Sequence, residues 1–195
     1  METWLRSAAV PLLSGPFLAI SLLLAIAGIM KVYRPVYTTG ALRAAGVPVG
    51  DGLVRMLGVA EVVVGVGAVI TGATQWAIGV GLFYLGFTVF VLVALRSGAP
   101  IASCGCFGSP DTPPGVGHVA VDVGATLVAL ATTFSPPGPW VGMIGAGAAT
   151  VVPFLLFSGA TVFLLYAIVN VLPQSRPRSP APVIRLSPTR GSVSE

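Results

Sequence analysis

The chain has 195 residues, 55 % of them hydrophobic and only 8 % charged, with a formal net charge of +4. A soluble domain usually carries roughly 25 % charged residues, so a water-soluble globule is excluded, and so much apolar sequence excludes disorder over most of the length. Two cysteines are too few for a disulfide-dense scaffold, and the basic residues lie beside apolar runs and in the tail, where a membrane protein keeps them, so no nucleic-acid partner is expected.

Charges mark out the spans. Between Arg6 and Lys31 lie 24 residues without a formal charge. About 20 apolar residues cross a bilayer as a helix, which predicts a first span over 13–32 rather than a cleaved signal peptide. A second span is expected over 53–71. Thr71-Gly72-Ala73-Thr74-Gln75 then reads as a short hairpin turn. A third span is expected over 76–95, opened by Trp76 in an interfacial position and closed by Arg96. The stretch 97–117 is rich in Gly, Pro and Ser, holds both cysteines and reads as a loop. A fourth span is expected over 118–134 and a fifth over 150–171, with 141–150 readable as helix or loop. Residues 173–195 hold five Pro, five Ser and four Arg and read as a disordered basic tail, either plainly solvated or drawn to anionic headgroups.

The expected fold class is therefore all-α: an integral membrane bundle of four to five transmembrane helices over residues 1–172, followed by the tail. Lys31, Arg34, Arg43 and Arg55 near the first connection, Arg96 after the third span, and Arg176, Arg178, Arg185 and Arg190 in the tail share one side if there are five spans. That sets nine basic residues against Arg6. The positive-inside rule makes the nine-residue side cytoplasmic, with the N-terminus outside and the cysteine loop inside.

Chemistry-bearing residues are few. Cys104-Gly105-Cys106-Phe107-Gly108 places two thiols one residue apart. A disulfide across so short a spacing meets the preferred geometry poorly, and strained disulfides exchange readily. Thiol–disulfide exchange by Cys104 and Cys106 is one reading. Metal binding by Cys104, Cys106 and His118 is a second, and two small loop residues without a role is a third. Glu61 lies inside the second span, where a carboxylate should face the bundle interior and find a partner. Lys31 is the candidate partner if spans one and two are antiparallel neighbours, and otherwise reads as a snorkelling interface residue. His118 and Asp122 fall one helical turn apart on one face of span four and can orient an imidazole or relay a proton. Tyr33, Tyr37 and Tyr84 read as packing or interface residues. Gly58, Gly65, Gly67, Gly79, Gly81 and Gly86 suit close helix packing. There is no GxGxxG cradle after a strand, no HExxH, no P-loop and no serine triad, and no cofactor is expected.

Ala27-Gly28-x-x-Lys31, Leu57-Gly58-x-x-Glu61 and Cys104-Gly105-Cys106-Phe107-Gly108, in this order, resemble the DoxX-like membrane proteins, and the cysteine motif resembles their methylamine-utilisation MauE branch. The resemblance covers roughly residues 13–135. Relatives often carry an Arg-Asp or Arg-Asn pair early in span four, where this chain has Val121-Asp122. The resemblance implies a bacterial inner-membrane bundle that assists maturation of a disulfide-rich client, the small subunit of methylamine dehydrogenase, beside a thioredoxin-like partner. In the exchange reading Cys104 and Cys106 are the redox pair, with Glu61, Lys31, His118 and Asp122 as candidate supporting residues. Two other functions fit the residues: a non-enzymatic assembly scaffold, and a small proton-coupled transporter or quinone-binding protein that uses Glu61 and Asp122 as proton sites.

Overall fold

A computed structural model describes residues 2–97 and 116–136, together with positions 152, 156 and 158–164. Its five named helices are α1 (Glu2–Tyr33), α2 (Pro35–Ala44), α3 (Asp51–Thr71), α4 (Thr74–Ser97) and α5 (Val116–Phe134). Among the described residues four segments are long and apolar enough to cross a bilayer: Leu13–Tyr33, Asp51–Thr71, Thr74–Arg96 and Val116–Phe134. They match the first four expected spans to within two residues. Residues 158–164 are helical within the expected fifth span. The rest of that span, the stretch 141–150, the cysteine loop at 98–115 and the tail lie outside the described residues.

The four long helices form a ring. α1 packs most extensively on α3 and α4 on α5, while α3 against α4 and α1 against α5 complete the circuit. The core is built from Phe17, Ile20 and Leu24 of α1, Ala68 of α3, Ala77, Val80 and Tyr84 of α4, and Ala125 and Ala129 of α5. Tyr84 ties α4 to α1 by donating its hydroxyl to the Ile20 carbonyl at 2.8 Å. Hydroxyls inside the spans donate mostly to their own helix, as Ser21 does to the Phe17 carbonyl and Thr88 to the Tyr84 carbonyl. That removes bare donors from a medium without water.

Small residues let the backbones meet. A Cβ on Gly28 would lie 2.5 Å from the Gly58 carbonyl oxygen, and one on Gly58 would lie 2.6 Å from that of Gly28. Two turns further along α3, a Cβ on Gly65 would lie 2.7 Å from the Ser21 carbonyl oxygen. α1 and α3 are thus antiparallel and in backbone contact. The expected turn between α3 and α4 is present: Gly72 adopts the left-handed conformation (φ 59°) and donates its N–H to the Ala68 carbonyl. Trp76 stands in the first turn of α4, half-buried. Its ring packs over Gly67, where a Cβ would come within 2.7 Å. Gly86 departs from expectation, because a Cβ there would meet nothing within 4 Å.

α2 was not foreseen as a helix. It starts at Pro35, whose fixed φ suits a first helical position. It buries Pro35, Thr38, Thr39 and Ala41. Ala41 packs with Ala94 near the end of α4, and the Thr39 hydroxyl donates to Asp51 at 2.7 Å, joining α2 to the start of α3.

These contacts separate two kinds of glycine. Gly65→Val should lower the unfolding free energy in micelles by about 1–3 kcal/mol, as overpacking does. Gly86→Ala should leave it unchanged or raise it by up to about 1 kcal/mol through helix propensity. Equal losses at both positions would contradict the α1–α3 crossing.

Candidate functional site

Gly28 precedes Lys31 by three residues, as Gly58 precedes Glu61, so each glycine shares a helix face with its charged neighbour. The backbone contact between the glycines therefore brings the two charges together. Lys31 Nζ lies 2.8 Å from Glu61 Oε2, with the side chains 2 % and 0 % exposed. Glu61 sits near the middle of α3, far from either helix end. A lone charge at the centre of a span costs roughly 2.5–3.5 kcal/mol on insertion scales. Pairing cancels the formal charge of both.

The ammonium is also placed over an aromatic face. Lys31 Nζ is 4.9 Å from the centre of the Phe87 ring, a cation–π distance. Phe87 in turn makes an edge contact with Tyr84 at 5.9 Å and a tilted one with Phe83 at 6.3 Å. An ammonium has three N–H donors. Glu61 takes one, and Lys31 makes no other hydrogen bond among the described residues. The second carboxylate oxygen, Glu61 Oε1, is buried without a hydrogen-bond partner among them.

His118 and Asp122 are both buried and lie on the stripe His118, Asp122, Ala125, Ala129 and Thr132 that α5 turns inward. Their placement on one face agrees with the sequence spacing. The antiparallel run of α4 and α5, fixed by Gly81 beside Ala129, puts His118 and Asp122 toward the end of the bundle where α1 finishes. Cys104 and Cys106 lie outside the described residues. Among the described residues no three His, Cys, Asp or Glu side chains cluster as a metal site would need. Tyr33 is well exposed and Tyr37 half-buried, consistent with surface positions, whereas Tyr84 is a buried tie between helices.

Three features escaped the sequence reading. Phe83 and Phe87 beside Lys31 gave no sign beyond helical spacing in an apolar run. The Thr39–Asp51 bond depended on α2. A recess between α3 and α4 beside Lys31, lined by Leu57, Phe83 and Phe87, required the crossing geometry.

Four apolar helices closed around a buried Lys–Glu pair define a small multi-pass membrane protein. Residues 9–136 match the family described as methylamine utilisation protein MauE, and the chain belongs to that family. No curated protein and no solved structure matched the chain.

The pair itself is testable. Removing one partner of a buried ion pair leaves the other uncompensated, a loss of about 3–5 kcal/mol, whereas replacing both by apolar groups can be neutral. Glu61→Leu alone should therefore destabilise strongly in mixed-micelle unfolding, and Lys31→Met added to it should recover most of the loss. Additive losses would show that the two residues do not act as a unit.

Proposed function

We propose that this methylamine-utilisation membrane protein exchanges electrons with a partner through Cys104 and Cys106 and so supports maturation of a disulfide-containing client. The observation that carries the reading is the placement of the chain's two cysteines in one Gly- and Pro-rich stretch between the end of α4 and the start of α5. Both helix ends belong to the end of the bundle where α1 finishes and α2 lies. Family membership supports an association with methylamine utilisation.

The exchange runs in two displacements. A thiolate of a reduced thioredoxin-like partner attacks one sulfur of the Cys104–Cys106 disulfide, that bond breaks and a mixed disulfide forms. The partner's second thiolate then attacks the mixed disulfide. The partner leaves as a disulfide, Cys104 and Cys106 become thiols, and two electrons and two protons have moved to this protein. The reverse sequence reduces the partner. The Lys31–Glu61 pair keeps the adjoining helices in register, and His118 and Asp122 stand on the helix that receives the loop. In this reading the protein lies in the inner membrane with its N-terminus outside, because eight of its ten Lys and Arg residues, leaving aside the buried Lys31, fall on the other side of a five-span chain against Arg6 alone.

Labelling in intact cells tests the proposal. A membrane-impermeant and a permeant maleimide are applied with and without prior reduction, to the native chain and to Cys104→Ser and Cys106→Ser. A reducible pair should gain label only after reduction, and one single-serine variant should accumulate a disulfide-linked adduct that the double variant lacks. Full labelling without reduction, with no adduct from either variant, would overturn the exchange and leave a docking scaffold. Labelling of reduced thiols by the impermeant reagent would reverse the orientation while leaving the exchange intact.

A further inference from the structure

α3 and α4 are tight at one end only. Near the Gly72 turn, Trp76 covers Gly67, and a Cβ on Gly79 would lie 2.9 Å from Val64. Toward the other end the helices leave a recess of about 210 Å³. α2 covers it with Leu42, α3 contributes Leu57, and α4 contributes Phe83, Phe87 and Phe90. Lys31 of α1 also lines it. Gly86 and Leu82 stand at its rim, and Leu82 is 63 % exposed on the outer surface of a membrane-spanning helix. The recess therefore opens laterally, toward lipid.

We infer that this recess binds a neutral, ring-shaped carbonyl compound of the quinone or cyclic-ketone class, with its ring among the phenylalanines, a carbonyl oxygen on Lys31 and an apolar tail leaving past Leu82. Four observations select this class. The volume suits a small ring, since a dry apolar cavity of about 150 Å³ is enough for benzene. The walls are aromatic, and aromatic rings pack well against other planar rings in offset or edge arrangements. Lys31 has donor capacity beyond its bond to Glu61, so the ligand head should be an acceptor. The Lys31–Glu61 pair is already neutral in sum, so an anionic head would bring an uncompensated charge into a buried site, and a neutral carbonyl would not. The inference concerns binding alone and does not depend on the cysteine chemistry proposed above.

The full chain in lipid nanodiscs is the material for the test, with decylubiquinone as the probe and decanoate as a competitor of equal chain length with a carboxylate head. Saturable, one-to-one binding that decanoate does not displace is the expected result. Gly86→Phe should weaken it by at least about tenfold, because a Cβ at Gly86 meets no neighbour within 4 Å and a ring there can fill the recess without disturbing helix packing. Leu82→Trp, at the exposed rim, should block the same entrance by a second route. Val89→Phe, on an exposed position of α4 outside the recess, should bind as the native chain does. Helical content and elution volume establish that each variant folds. Uptake that never saturates, displacement by decanoate, or undiminished binding in both folded blocking variants would each overturn the inference.

Discussion

The meeting of two glycines, Gly28 on α1 and Gly58 on α3, is the constraint on which the rest of the bundle depends. Any side chain at either position would push the helices apart, since the space for a Cβ is already held by the opposing backbone. With the backbones that close, a lysine from one helix reaches a glutamate thirty residues later in the chain. Neither charge is stable alone in an apolar span. The close approach and the ion pair therefore support each other: the glycines supply the proximity and the charges supply the reason for the helices to stay in one register.

Lipid offers little hydrophobic incentive for helices to associate, so packing and polar contacts carry the assembly. The distribution of these contacts is uneven. At the Gly72 end, the short turn, the Trp76–Gly67 contact and the Gly79–Val64 contact hold α3 firmly to α4. At the other end the same helices are spread, and α2 spans the gap with one contact to Asp51 and another to Ala94. Lys31 and the aromatic group around it, the part of α5 bearing His118 and Asp122, and the helix ends that flank the cysteines all belong to this looser end. One end serves as anchor and the other holds the chemical groups.

Much of this was legible in the sequence because a bilayer enforces simple rules. Long apolar runs set off by Lys31, Arg96 and Gly- or Pro-rich breaks gave the first four spans, and Thr71–Gln75 announced its turn. Glu61 declared itself as a buried carboxylate by standing among valines, whereas Lys31 read equally as its partner or as a snorkelling interface residue until the antiparallel crossing of α1 and α3 joined the two. The rest needed three dimensions. α2 is short and only partly apolar, and its helix is stabilised by packing against Ala94 and Asp51 rather than by periodicity. A list of glycines could not separate Gly65, which is pressed against a backbone, from Gly86, which faces open space. Phe83 and Phe87 look like any other apolar residues until their rings are seen beside an ammonium group.

The thirty-residue separation of Lys31 and Glu61 also bears on how the protein is made. Ribosomes add about 5–20 residues per second, so Lys31 is made about 1.5 to 6 seconds before the glutamate that will neutralise it. During that interval Lys31, in the last turn of α1, can keep its ammonium group at the water boundary by extending along the helix end. Only when α3 arrives can the lysine turn inward. Biogenesis of the bundle is thus expected to proceed through a waiting stage, with the first helix held at the insertion machinery or the membrane surface until its antiparallel partner is delivered and both settle as one hairpin.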